Sequence, residues 1–150
     1  MIARVTASDL EELLPLLRGY CDFYEVAPSD AALRELSVTL LEHPDTAGLQ
    51  LIVRELDGAA VGFATLYWTY STTSASAIGV MNDLYIAPHA RTKGLGAALI
   101  RACEAECAAR GLQTMEWETA PTNTRAQALY DRFPAERSEW VSYSLALSPR

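Results

Sequence analysis

Apolar positions along the chain switch between two periods, and the switches mark its elements. Residues 2–5 are a short strand candidate. From there Leu10, Leu13, Leu14 and Leu17 recur at the three- and four-residue spacing of an amphipathic helix. Ser8 and Glu11 have the spacing of a capping box at its start. Pro15 conflicts with the pattern, since interior proline costs a helix about 3 kcal/mol, so a kink or an irregular start is expected. Leu33, Leu36, Leu40 and Leu41 give a second helical stripe over residues 30–42, closed by Pro44. The pattern then becomes strand-like. Residues 49–56 and 61–70 flank Asp57-Gly58, a hairpin signal. After a small polar loop, residues 77–87 form the next strand. A helix opens at Gly94 and ends at Arg110-Gly111, with a cation and a glycine in favoured places. A strand over 114–119, a helix over 123–133 stopped by Pro134, and a strand over 141–147 complete the chain. The order β-α-α-β-β-β-α-β-α-β predicts an α+β fold, a mixed, mostly antiparallel sheet with helices on both faces.

Residues 80–100, VMNDLYIAPHARTKGLGAALI, concentrate the chemistry. A strand exits at Pro88, which lacks a backbone donor. Gly94 and Gly96 then lie at a strand-to-helix junction, where main chain can approach a ligand closely. The free N–H groups of the helix's first turn make an anion site there, and Arg91 and Lys93 add positive charge. A diphosphate is the natural occupant, although glycine and lysine also occur between strands and helices that bind nothing. The Gly-Lys-Ser/Thr of a P-loop is absent, and the third small residue of the dinucleotide fingerprint is missing from its place.

Composition narrows the choices. One hundred and fifty residues, half of them hydrophobic, suit a single domain with a full core. Nineteen acidic against twelve basic residues give a net charge of −7. That disfavours a nucleic-acid partner and is compatible with a cationic substrate. No apolar run approaches the roughly 20 residues of a membrane span. The N-terminus carries Asp9, Glu11 and Glu12 where a signal peptide would be apolar, so a cytoplasmic protein is expected. Cys21, Cys103 and Cys107 are an odd count. Without a matching histidine pair they read as small core residues, and no metal site is expected.

Tyr20, Phe23 and Tyr24 share six residues with Asp22 and Glu25. They fit the end of an amphipathic helix packing its rings on the core. They equally fit one wall of an amine pocket, with carboxylates holding a cation and ring faces adding cation–π attraction.

The run from Asp83 to Gly96, D-L-Y-I-x-P-x-x-R-x-x-G-x-G, resembles the acetyl-CoA signature of the GNAT superfamily of N-acetyltransferases, whose core is matched by Arg91, Gly94 and Gly96. Trp117-Glu118-Thr119, Asn123 and Ala128-Leu129-Tyr130 resemble its second half. Ala135-Glu136-Arg137-Ser138 and Tyr143 look like the branch of the yeast histone and polyamine acetyltransferases. The resemblance covers nearly the whole chain.

It implies an N-acyltransferase fold and direct acetyl transfer from acetyl-CoA to a primary amine in a ternary complex. The acceptor would be small and cationic. A protein lysine, or a non-catalytic acyl-CoA sensor, is the alternative. The pantetheine arm would pair with main chain at Leu84, Tyr85 and Ile86. The pyrophosphate would sit by Arg91 on the N–H groups of Thr92, Lys93, Gly94, Leu95, Gly96 and Ala97. Tyr130 matches the tyrosine that protonates the departing thiolate; a phenol with an ordinary pKa near 10 can donate at neutral pH. Asn123 would contact the pantetheine or cap its helix. Tyr20, Phe23, Tyr24 and Glu25 fall in the region that lines the acceptor site. The departure lies at Asn82, where relatives often place a glutamate base, because an amide cannot accept a proton. Asp83 is the nearest carboxylate and Glu118 a second candidate, unless bulk water takes the proton. The superfamily usually closes with a two-stranded hairpin, and too few residues follow Pro134 for both strands. An unpaired sheet edge invites a second copy, so a homodimer is expected.

Overall fold

A computed structural model describes residues 1–148 and divides into two compact units, Met1–Glu118 and the residues from Thr119 onward. The first unit contains β1 (Ile2–Arg4), α1 (Leu10–Phe23), α2 (Asp30–Glu42), β2 (Gly48–Arg54), β3 (Ala60–Ser71), β4 (Ser76–Ile86), α3 (Leu95–Ala109) and β5 (Met115–Glu116). The second contains α4 (Thr124–Tyr130).

The five strands lie in sequence order. β1 to β4 are antiparallel neighbours, and β5 joins β4 in parallel. Alternation along the strands splits the core in two. Ile52 and Phe63 face each other across β2 and β3 and pack with Leu13, Leu17 and Leu33 of α1 and α2. On the other face α3 lies close to β4. A Cβ on Gly79 would sit 2.5 Å from the Cys107 sulfur, so glycine is what permits that approach. Cys103 and Cys107 are buried and free, as expected of small core residues.

Most predicted elements form within two residues of their expected limits. The helix start does not follow Ser8 and Glu11. Thr6 is the cap instead, and both its N–H and its hydroxyl donate to Asp9 Oδ2 at 2.7 Å. A 3-10 turn over Ala7–Asp9 then leads into α1. Pro15 is tolerated because Glu11, Glu12 and Pro15 are all exposed, so the carbonyl it leaves without a donor faces water. β5 keeps two residues of its expected six. The strand expected over 141–147 does not form. Its alternation is real, but a strand needs an edge to pair with, and no such pairing exists among the described residues.

Candidate functional site

The junction between β4 and α3 is built for an anion. Thr92 and Gly94 both have left-handed backbone, with φ of 67° and 77°, the geometry of loops that turn successive N–H groups toward one side. A β-branched residue there is strained, by about 1–3 kcal/mol. Gly94 caps α3 with no side-chain hydrogen bond, and the first turn of α3 holds no acidic residue. The donors of that turn therefore have neither an intrahelical acceptor nor a capping carboxylate. Arg91 fixes the loop: its Nε donates to the Ile86 carbonyl at 2.8 Å, and its guanidinium lies 5.9 Å from the centre of the Tyr85 ring. Lys93 lies 2.5 Å from Glu55 Oε1, so its charge is balanced within the chain.

Beside this loop β4 has a half-open edge. β5 covers it only at Gly79 and Val80. From Met81 to Ile86 the strand pairs with β3 on one side, and no strand among the described residues covers the other. Leu84, Tyr85 and Ile86 are on this stretch, half-buried.

A bulge controls which side chains this stretch presents. Met81 lies opposite Leu66 and Asp83 opposite Thr65, which leaves Asn82 as an extra residue. The pleat changes parity there, and Asp83 and Tyr85 turn toward the face covered by α1. Asp83 thereby joins a polar row across three strands, opposite Thr65, which lies opposite Gln50. All three are buried, at 9%, 0% and 4% exposure. The Gln50 amide donates to Thr65 Oγ1 at 3.3 Å, and the Asn82 amide donates to Asp83 Oδ1 at 2.9 Å. The residue in the glutamate position is thus a donor to the neighbouring carboxylate.

Two phenols, Tyr20 of α1 and Tyr67 of β3, lie within electrostatic reach of Asp83. The Tyr20 hydroxyl donates to the Asn82 carbonyl at 3.5 Å. Its ring lies 5.0 Å from Tyr24, 5.9 Å from Phe63 and 6.4 Å from Tyr85. Burial pushes the Tyr20 phenol well above its ordinary pKa, and the Asp83 carboxylate and Tyr24 hydroxyl push it further. Burial, then Asp83, pushes Tyr67 up to about 12. Both phenols hold their protons at neutral pH.

Of the expected site residues, the structure brings Tyr20, Tyr24, Asp83 and Tyr85 into one cluster. Phe23 touches Tyr24 with ring centres 5.1 Å apart and is half exposed. Glu25 is exposed in left-handed backbone, φ 56°, beyond the end of α1. In the second unit Asn123 caps α4, accepting from the Ala126 N–H at 3.2 Å, and Tyr130 is the last, half-buried residue of that helix. The sequence reading does not single out Gln50, Thr65 or Tyr67. Their signal was available: Gln50 and Thr65 are polar residues inside otherwise apolar strands. No group of three or more potential metal ligands exists among the described residues.

A mixed sheet with a half-open fourth strand, leading into an acid-free helix start, defines the acyl-CoA N-acyltransferase fold. The chain belongs to the acetyltransferase (GNAT) family, whose sequence model matches residues 12–133. Over 131 residues it is 30% identical to YhfO of Bacillus subtilis (strain 168), described as an uncharacterized N-acetyltransferase, covering 87% of this chain and 86% of that one. Over 86 residues it is 35% identical to a D-amino-acid N-acetyltransferase of Saccharomyces cerevisiae, covering 57% of this chain and 53% of the yeast protein. The aminoglycoside N-acetyltransferase AAC(6')-Iy in complex with CoA has the same fold, with a TM-score of 0.85 over 97% of this chain and 93% of that one at 22% identity. The protein is accordingly an N-acetyltransferase of the GNAT family.

Proposed function

We propose that this enzyme transfers acetyl from acetyl-CoA directly to a primary amine of a small, cationic acceptor. The observation that carries this reading is the start of α3, free of acidic residues and of any side-chain cap, beside the half-open edge of β4. A diphosphate fits the first and an extended amide-bearing arm fits the second. Acetyl-CoA supplies the activated acyl group as a thioester. The N–H groups of Thr92 to Ala97 hold the pyrophosphate, and main chain at Leu84 to Ile86 orients the arm and polarises the thioester carbonyl.

Asp83 accepts the amine proton, directly or through a water, and Tyr130 returns a proton to the leaving thiolate as the C–N bond forms and the C–S bond breaks. Asn123 positions α4 through its cap. Tyr20 and Tyr24 supply ring faces to the acceptor's cation, with Phe23 and Glu25 at the rim. Similarity to the yeast D-amino-acid N-acetyltransferase supports placing the chain near that yeast branch, with small amine-bearing acceptors. Residues 1–150 act as one catalytic domain, in the cytoplasm, without nucleic acid or membrane as partner.

The test is thiol release from acetyl-CoA against spermidine, free D- and L-amino acids, an aminoglycoside and a lysine-bearing peptide, with Tyr130→Phe in parallel. Release that depends on a small amine and falls at least ~10-fold in the variant is expected. Release with the peptide alone would move the acceptor class to proteins. Binding of acetyl-CoA without release would favour a sensor, and no binding would overturn the proposal.

A further inference from the structure

Between α2 and β2 lies a cavity of about 180 Å³. It begins where β1 stops. That strand pairs with β2 from Ile2 to Arg4, and the Val5 N–H adds one bond to the main-chain carbonyl of Gln50 at 2.9 Å. Val5, Leu40, Leu41, Pro44 and Leu49 give the cavity apolar walls. Ser37 and Gln50 are its polar points, and both are buried, at 1% and 4% exposure. Ser37 Oγ is the one buried side-chain oxygen or nitrogen among the described residues without a hydrogen-bond partner. Such groups are rare in folded proteins. Alanine would suit that place in α2 better and would strand nothing. Gln50 gives one amide hydrogen to Thr65 across 3.3 Å, longer than an ordinary N–H···O bond. It has a second hydrogen and a carbonyl oxygen left to offer. Arg4 is the one ionisable residue of the lining, and Glu106 takes its Nε and Nη2 at 2.9 and 2.5 Å. No net charge is left to hold an ion, and an ion would shed its water among apolar walls.

We propose that this cavity binds a small neutral molecule with a short branched apolar body and one alcohol or primary-amide head. The body lies against the leucines and Pro44, and the head hydrogen-bonds Ser37 and Gln50. The size is suitable, since an apolar cavity of about 150 Å³ takes a ring as large as benzene. The Ser37 oxygen moves by one torsion, χ1, so its hydroxyl can meet the head without a change of backbone. The lining includes no residue of α3, its leading loop or β4, so the site is distinct from the proposed acetyl-CoA site. Gln50 is shared with the polar row that ends at Asp83.

The test uses the full chain and reads binding, not acetyl transfer, so its failure is distinct from failure of the proposed function. Isovaleramide is the probe, titrated with CoA present in excess and followed by amide NMR shifts. Saturable shifts centred on Ser37, Leu40 and Gln50 are expected, with a dissociation constant of about 1 mM, the range open to so small a ligand. Isovalerate has the same shape with a charge, and should bind at least ~10-fold more weakly. Ser37→Ala should weaken isovaleramide binding by about 5-fold or more, through the lost hydrogen bond. That variant keeps its fold, because alanine suits a helix and leaves no stranded hydroxyl. An absence of saturable shifts at these residues would leave the cavity to water alone. That result, equal binding of isovalerate, or equal binding of isovaleramide to Ser37→Ala would overturn the proposal.

Discussion

Asp83 lies directly opposite Thr65, although Met81, two residues earlier, lies opposite Leu66. In a regular strand residues 81 and 83 would share a face. Thr65 and Leu66 are on opposite faces, so the extra residue Asn82 reverses the pleat. The reversal takes Asp83 away from α3 and sets it among Tyr20, Tyr67 and the polar row. A carboxylate placed there by a bulge, with phenols that stay protonated around it, suits a proton acceptor. Asp83→Asn keeps the shape and removes the proton site. We expect kcat/KM to fall by roughly 10²–10⁴, with the dissociation constant for CoA and the unfolding midpoint little changed. An unchanged kcat/KM would assign the proton to bulk water or to another group.

The polar row makes a prediction about stability. Thr65→Val is nearly isosteric but removes the acceptor of the buried Gln50 amide. Stranding that donor costs about 1–3 kcal/mol. Replacing both partners, as Thr65→Val with Gln50→Leu, leaves nothing stranded, so the double variant should lose less than the sum of the singles. Urea denaturation of the four proteins measures the coupling. Strict additivity would show that the row is not a unit.

These two cases show where the sequence was informative. The helices and the three long strands are visible because local periodicity specifies each of them. The anion loop is visible because Arg91, Gly94 and Gly96 sit at a strand-to-helix junction. Asn82 was a different matter: it reads as a lost base, whereas in the structure its amide donates to Asp83 and its place in the chain creates the bulge. A bulge is a property of two strands in register, and one strand's sequence does not contain it. The row of Gln50, Thr65 and Asp83 is hidden for the same reason, since its members are 15 and 18 residues apart. Residues 141–147 show the converse, a strand pattern without an edge to pair with in the described residues.

The start of α3 can be tested by charge alone. A Cβ at Gly94 would meet no atom within 4 Å, so a side chain fits there sterically despite the left-handed backbone. Aspartate tolerates that backbone better than most residues. Gly94→Asp therefore should move the unfolding temperature by only a few degrees, while setting a negative charge where a diphosphate would bind. The dissociation constant for CoA, measured by titration calorimetry, should rise at least ~10-fold, and Gly94→Asn should recover most of the loss. Equal losses in both variants would point to backbone shape and not to charge.

The seat of α1 is sensitive to acid, and its sign follows from Asp9. The Thr6 hydroxyl and N–H, and then Arg54, hold the Asp9 carboxyl below its ordinary pKa. A group lowered in the folded state contributes stability that is complete above its unfolded value, near 4, and disappears as pH falls through the folded value. Arg54, at the end of β2, also donates to Glu12 at 2.7 Å and to the Gly58 carbonyl at 2.9 Å. Asp9 thus joins the start of α1 to the β2–β3 turn. Asp9→Asn should cost about 1 kcal/mol at pH 7, the usual worth of a helix cap. That deficit should shrink as pH falls through the lowered pKa of the native carboxyl, which is then protonated too. Urea midpoints for the two proteins between pH 7 and pH 2 would show it as converging curves. Parallel curves would mean that shape and not charge seats the helix. Because Tyr20 is on that helix, Asp9→Asn should also weaken acceptor binding more than CoA binding.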